Sequence, residues 1–265
     1  KLLLLGDEAI AQGAIDAGLS GVFAYPGTPS TEITEYIQDS KQAKELGIRS
    51  NWAANEKTAM EAALGMSYAG KRAMFCCKHV GINVAADPFM NSAITGANGG
   101  LIYIAADDPS MHSSQDEQDS RFYGDFALIP VLEPSNQQEA YDMVHYGFEL
   151  SEKFHVPVMM RITTRMAHSR AGVVRKESVK NQNKITLPEK KNQFILLPAN
   201  ARVQYRELLA KQEGLIAASE NDGFNKYIDG KDKSVGIVAC GIAYNYLMEN
   251  FRDSECPYPV LKISQ

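Results

Sequence analysis

Short apolar runs alternate with helical periodicity over roughly the first 165 residues. Asp7 is placed to cap a helix running to about Ala17, with Ile10, Ala14 and Ile15 on one face and Gly18 at its end. The strand-like run Gly21-Val22-Phe23-Ala24-Tyr25 follows. Thr28 then reads as the N-cap of a second helix, with Pro29 at the first helical position and Ile33 and Ile37 as its apolar stripe. A short strand from about Ile48 to Ala53 leads into a helix from Glu56 to Ala69. The pattern repeats as strand Arg72 to Lys78, a helix from about Asn83 to Ala97, and strand Leu101 to Ala106. Leu128 to Leu132 is a further strand, which Pro130 assigns to a sheet edge. Ser135 opens a helix to about Phe154 with the capping box Ser135-x-x-Gln138, and Val156 to Thr163 is the closing strand.

Strands alternating with helices predict βαβ units, hence an α/β fold with a parallel sheet flanked by helices on both faces. Ligands of such sheets sit at the carboxyl ends of the strands. The segments at those ends are Pro26-Gly27-Thr28-Pro29-Ser30, Ala53-Ala54-Asn55-Glu56, Lys78-His79-Val80-Gly81 and Asp107-Asp108-Pro109. They are expected to meet at one rim.

From Arg175 to Lys191 the chain is basic and polar, which is linker composition. An amphipathic helix from about Ala201 to Ala218 carries Val203, Leu208, Leu209 and Leu215. Ser234 to Cys240 reads as a strand, Gly241 as a turn, Ile242 to Phe251 as a helix and Val260 to Ser264 as another strand. One βαβ unit cannot bury both faces of a sheet. The expected division is therefore a first domain at 1–174, a linker with a helix at 175–232, and the opening of a second α/β domain, cut short, at 233–265.

Composition narrows the function. The 265 residues carry 27 Lys plus Arg against 32 Asp plus Glu, a net charge of −5, which argues against nucleic-acid binding by bulk electrostatics. No apolar run approaches the roughly 18 residues of a membrane helix. Lys1 and the four leucines after it are too short an apolar core for a signal peptide. Four cysteines with no CxxC pair point to a reducing, cytoplasmic setting. Cys76 and Cys77 are adjacent in a strand, so they face opposite ways and are expected to be core residues. The phosphate-cradling patterns GxGxxG and GxxxxGK[ST] are absent from the sequence.

Taken as residues alone, Glu56 is a favourable partner for a helix N-terminus, and His79 is a hydrogen-bonded structural histidine or a site residue. The segment Asp107 to Asp125 holds six acidic residues around His112 and Arg121. An arginine there can pair with a carboxylate through two parallel hydrogen bonds.

Several long motifs resemble one family. They are Gly6-Asp7-Glu8-Ala9-Ile10-Ala11-Gln12-Gly13-Ala14, Tyr25-Pro26-Gly27-Thr28-Pro29-Ser30-Thr31-Glu32 and Asn55-Glu56-Lys57. Lys78-His79-Val80-Gly81-Ile82-Asn83-Val84-Ala85-Ala86-Asp87-Pro88, Asp107-Asp108-Pro109-Ser110-Met111-His112-Ser113-Ser114-Gln115 and Gly241-Ile242-Ala243-Tyr244-Asn245 complete the set. Together they resemble the alpha subunits of indolepyruvate ferredoxin oxidoreductases, among the thiamine-diphosphate-dependent 2-oxoacid:ferredoxin oxidoreductases.

The resemblance implies that the first domain has the thiamine-diphosphate pyrimidine-binding fold and that the truncated one is transketolase C-terminal-like. It implies that Glu56 contacts N1′ of the aminopyrimidine, that Gly81 lets the backbone approach the ring, and that His79 lies beside it. Thr28 would border the oxoacid, with Arg121 and His112 as further substrate-binding residues. Gly27 stands where related pyruvate enzymes carry a larger side chain, which suits arylpyruvates. The GDG motif and Asn that hold the diphosphate and its Mg²⁺ are absent, and no cysteine cluster could hold iron–sulfur centres. No metal site is therefore expected in this chain; the Mg²⁺ ligands and clusters are expected elsewhere in the enzyme.

The implied reaction converts a 2-oxoacid, CoA and oxidised ferredoxin to acyl-CoA, CO₂ and reduced ferredoxin. The chain would act as an N-terminal fragment, inactive alone, within an oligomer that includes a beta subunit and the rest of the alpha subunit. The alternatives are a non-oxidative thiamine-dependent decarboxylase subunit and a catalytically silent α/β domain that binds a partner subunit.

Overall fold

Why a six-stranded sheet forms is visible in three of its strands. Ala73–Cys77, Leu101–Asp107 and Val158–Thr163 are buried throughout, as strands covered on both faces must be. The structure is a computed structural model and describes residues 1–190 and 192–265; Lys191, the last residue of the predicted linker stretch, lies outside them.

In chain order the elements begin with β1 (Leu2–Leu5), α1 (Gly6–Asp16), β2 (Gly21–Ala24), α2 (Thr31–Asp39), α3 (Lys41–Glu45), β3 (Arg49–Trp52) and α4 (Glu56–Tyr68). Next come β4 (Ala73–Lys78), α5 (His79–Val84), α6 (Ala86–Thr95), β5 (Leu101–Asp107), α7 (Arg121–Ala127), β6 (Val131–Leu132) and α8 (Gln137–Phe154). The first part ends with β7 (Val158–Thr163), α9 (Thr164–His168) and β8 (Arg170–Val173). The remainder is α10 (Pro198–Asn221), β9 (Lys226–Ile228), β10 (Ile237–Cys240), α11 (Gly241–Glu249) and β11 (Val260–Ile263).

The main sheet has the order β3-β2-β4-β5-β7-β6 and is parallel throughout. β6 is its edge, as Pro130 required. Val22, Phe75, Ile104 and Met160 belong to one continuous core that also takes in Ile10 and Ile15 of α1 and Phe148 of α8. Cys76 and Cys77 are both core residues. Among the described residues no helix is long and apolar enough to cross a membrane.

Several local expectations are corrected. Thr28 does not cap α2: the helix starts at Thr31, after a turn in which the Ser30 N–H and hydroxyl both donate to the Gly27 carbonyl, at 3.0 and 2.8 Å. The Gly27 N–H donates to Thr31 Oγ1 at 2.9 Å. The helix expected over 83–97 begins at His79, directly after β4, and is broken at Ala85 into α5 and α6. The cap of α8 is Asn136, whose side chain accepts from the Glu139 N–H, rather than Ser135. The sequence pattern also missed β1 and β8, which pair antiparallel and bury Leu4 and Val173 against Ala9 and Tyr141.

The segment after β8 is strapped to the domain. Fully buried Asp16 accepts from Arg175 Nε at 2.8 Å, Arg175 Nη2 at 2.5 Å, Ser178 Oγ at 2.6 Å and Tyr141 Oη at 2.8 Å. Further along, the Thr186 N–H donates to the Ala69 carbonyl at 2.9 Å. α10 then packs on the core through Leu208 and Leu215.

The last strands form a small sheet of order β10-β11-β9, with β10 and β11 parallel and β9 antiparallel to β11. This sheet sits against the loop between β6 and α8. The Glu133 N–H donates to the Ser264 carbonyl at 2.8 Å, buried Lys262 pairs with Glu139, and Asn245 donates to the Ser135 carbonyl.

Candidate functional site

The chain leaves β2 towards β3 on one side of the sheet, crosses back to β4, and then builds outward on the other side. Such a reversal opens a crevice at the carboxyl ends of the two strands concerned. Here that crevice lies between β2 and β4. Tyr25 to Thr28 leave β2 there, Lys78 ends β4 and His79 opens α5 there, and α4 begins beside them at Glu56.

Asn55 caps α4, its side chain accepting from the Thr58 N–H at 2.9 Å. This holds Glu56 in the first turn, half-buried, where the helix N-terminus favours a negative charge. Glu56 lies against Gly81: a Cβ at residue 81 would be 2.8 Å from both Cγ and Oε1 of Glu56, and 3.0 Å from Cβ of Cys77. Burial pushes the Cys77 thiol well above its ordinary range, and the Glu56 carboxylate adds to the effect.

His79 is completely buried. Its Nε2 lies 3.0 Å from the Asp116 carbonyl oxygen and 3.1 Å from Asp116 Oδ1. Both are acceptors, so Nε2 carries a proton and donates. Nδ1 has no partner among the described residues. Lys78 Nζ donates to the Ser113 carbonyl at 2.9 Å. The loop after β5 is thus drawn across the end of β4.

Asp108 anchors the same loop. Its carboxylate accepts from the Ser113 N–H and Ser114 Oγ, each at 2.7 Å, and from Thr164 Oγ1 at 2.8 Å. Burial alone would raise its pKa, but these hydrogen bonds outweigh burial and hold it well below the carboxylate range.

The other predicted residues are spread along this rim. Thr28 is exposed in the loop after β2. A Cβ at Gly27 would meet the flexible Lys78 side chain at 3.1 Å. His112 is exposed and lines a cavity of about 580 Å³ with Thr163, Thr164, Arg165, His168 and Tyr246, between the main domain and α11. Arg121 starts α7 rather than lying in a loop. Its guanidinium donates to Asp119 from Nε at 2.9 Å and from Nη2 at 2.6 Å, and Nη1 reaches Glu133 at 3.3 Å.

Sequence reasoning missed the network beneath Arg121. Buried Asp107 accepts from Arg161 Nε at 2.8 Å and from the Ser120 N–H at 3.1 Å, and Arg161 Nη1 donates to Glu133 at 2.6 Å. The signal available was a charged residue, Arg161, inside an otherwise apolar strand. It also missed a second constellation, since no metal site was expected. Asp7, Glu32 and His168 bring one ligand atom each to within 4.8 Å of one another.

A wholly parallel sheet, helices on both faces and polar strand ends gathered at a switch point define an α/β cofactor-binding domain. Residues 12–203 match the family described as "Pyruvate flavodoxin/ferredoxin oxidoreductase, thiamine diP-bdg", and the chain belongs to that family. It is 45% identical over 268 residues to indolepyruvate oxidoreductase subunit IorA of Archaeoglobus fulgidus, a match covering 100% of this chain and 43% of that one. It is 46% identical over 255 residues to the subunit of the same name from Thermococcus kodakarensis, covering 94% of this chain and 39% of that one. The chain thus spans less than half the length of these relatives. A solved 2-oxoglutarate:ferredoxin oxidoreductase from Magnetococcus marinus, with 2-oxoglutarate, coenzyme A and succinyl-CoA bound, is similar in fold. Its TM-score is 0.73 at 18% identity, over 99% of this chain and 53% of that one.

Proposed function

We propose that this chain supplies the pyrimidine-facing half of a thiamine diphosphate site in an enzyme that oxidatively decarboxylates 2-oxoacids, arylpyruvates such as indolepyruvate among them. The products are acyl-CoA, CO₂ and reduced ferredoxin. In this reading residues 1–174 are the pyrimidine-binding domain and 233–265 begin a transketolase C-terminal-like domain. The diphosphate and Mg²⁺ ligands and the iron–sulfur clusters come from the rest of the subunit and from a beta subunit, in a cytoplasmic oligomer. The observation that carries the reading is the half-buried Glu56 carboxylate, seated against Gly81 at the crevice between β2 and β4.

The residues fit an aminopyrimidine: a carboxylate on a helix N-terminus, with a side-chain-free residue next to it. The chemistry that thiamine diphosphate supplies when bound is carbanion stabilisation. Glu56 holds and exchanges a proton at N1′. Gly81 keeps that face open, and His79 ties Asp116, and with it the loop after β5, over the end of β4. Thr28 meets the oxoacid, and Gly27 leaves room for an aryl group. Arg121 pairs with the oxoacid carboxylate by exchanging Asp119, since this ion pair is partly exposed on both sides. His112, in the cavity under α11, is a further substrate contact.

Glu56→Gln in the full enzyme tests the reading, because Gln is nearly isosteric but cannot exchange that proton. The expected kcat loss is roughly 10²–10⁴, the range of a positioned acid–base group, with folding intact. Retention of more than about a tenth of wild-type kcat would reject the role, since a group in that range is worth at least roughly 10².

A further inference from the structure

We propose that Asp7, Glu32 and His168 bind a first-row divalent cation that ties α1, α2 and α9 together. Asp7 sits in the first turn of α1 and is completely buried, yet neither carboxylate oxygen has a hydrogen-bond partner among the described residues. Glu32, in the first turn of α2, has a buried Oε2 that is also without a partner among the described residues. Its Oε1 lies 3.4 Å from Nε2 of His168, the last residue of α9. Buried polar groups are almost always satisfied, and two buried carboxylates that face each other, as Asp7 and Glu32 do, are satisfied by a shared proton or by a cation between them. Among the described residues, no Lys or Arg makes an ion pair with either carboxylate; His168 is the basic partner that reaches Glu32.

The surroundings favour a cation. A cavity of about 440 Å³ opens beside Glu32, lined by the carboxylates of Glu8, Glu32, Glu35 and Asp39 together with Tyr36, and by no basic residue. Such a cleft concentrates positive ions at its mouth. The donor set is two carboxylate oxygens and one imidazole nitrogen. That combination suits Mn²⁺, Fe²⁺ or Zn²⁺ better than Mg²⁺, which prefers oxygen ligands alone. Metal–ligand bonds of about 2.1 Å at tetrahedral angles put neighbouring ligand atoms about 3.4 Å apart, which is the Glu32–His168 separation. The widest separation in the set is within 4.8 Å. Glu32 and His168 can close it, since both side chains are 35% exposed and have room to rotate. The three residues come from far-apart stretches of the chain, so the ion acts as a structural clamp on the start of α2, just after the Gly27–Thr28 loop.

The test uses the full-length subunit with its partner, stripped with a chelator and titrated with ZnCl₂ or MnCl₂. The wild type should bind one equivalent more than either Asp7→Asn or His168→Gln. Its Tm should rise with metal concentration, and the two variants should lack that part of the rise. Mn²⁺ should selectively broaden the His168 ring resonances. Equal stoichiometry in all three proteins would overturn the proposal. So would an Asp7→Asn protein more stable than the metal-saturated wild type, which would assign the carboxylate pair to a shared proton. Should Asp7→Asn fail to fold, His168→Gln, at an exposed position, carries the comparison.

Discussion

Gly81 and Glu56 share one space: a Cβ on the glycine would stand 2.8 Å from Cγ and Oε1 of the glutamate. Gly81 is helical, so alanine at this position suits the backbone and improves helix propensity by about 1 kcal/mol. Overpacking costs about 1–3 kcal/mol, so the net destabilisation is about 0–2 kcal/mol. The cost falls on Glu56, which must move. Gly81→Ala in the full enzyme should lower kcat by at least about tenfold, less than the roughly 10²–10⁴ expected on removing the acid–base group itself, with Tm lowered by no more than a few degrees. Steady-state rates and thermal melts on the same preparations decide it. An active Gly81→Ala enzyme would separate Glu56 placement from turnover.

Arg121 pairs with Asp119 and reaches Glu133, and it is proposed to receive the oxoacid in place of Asp119. If it takes the carboxylate, Arg121→Ala should raise KM for the oxoacid much more than it alters the thiamine diphosphate requirement. A lowered Tm with unchanged KM would assign it to holding α7 through Asp119 and Glu133 alone.

Asp108 gives a pH dependence with a definite sign. Its hydrogen bonds hold the folded pKa well below the ordinary value. The stabilisation is therefore present above the unfolded pKa of about 3.9 and is lost as pH falls through the folded value. Asp108→Asn should cost about 1.5–3 kcal/mol near neutrality, the scale of hydrogen bonds to a charged group. The Tm gap between variant and wild type should narrow as the pH drops from 6 towards 3. A gap that stays constant over that range would remove the carboxylate charge from the account.

Arg161→Met tests the network at the domain junction. It leaves Asp107 and Glu133 buried without their shared cation. Breaking such a pair costs about 3–5 kcal/mol. Glu133 also touches the last sheet through Ser264, so amide exchange should accelerate in β10 and β11 as well as at the end of β7. Loosening confined to β7 would show that the two parts dock independently of this arginine.

The parallel sheet was legible because β4, β5 and β7 are predominantly apolar runs between helices. The start of α4 at Glu56 was legible from the helical periodicity that follows it, and Asn55 caps it there. Elements that depend on distant partners were not. Nothing local in Arg170-Ala171-Gly172-Val173 says strand; it becomes one by pairing with Leu2–Leu5. Thr28-Pro29 carries every local sign of a helix start, yet the turn that closes on the Gly27 carbonyl delays α2 to Thr31. Asp107 ends β5, Glu133 follows β6 and Arg161 lies within β7, as Asp7, Glu32 and His168 lie on three helices. No spacing in a single sequence announces such meetings.

The strap around Asp16 changes where this domain can be cut. A piece ending at Val174 would keep every strand of the main sheet and still lose Arg175 and Ser178, leaving a carboxylate sealed at the end of α1 with its positive partner removed. Such a piece should express poorly or swell around Tyr141, whereas one carried through Thr186 keeps both the counter-charge and the last backbone bond to Ala69. What composition marks as a tether is part of the unit's own closure. The smallest portable version of this domain therefore ends beyond its last strand, inside the polar stretch that looks most dispensable.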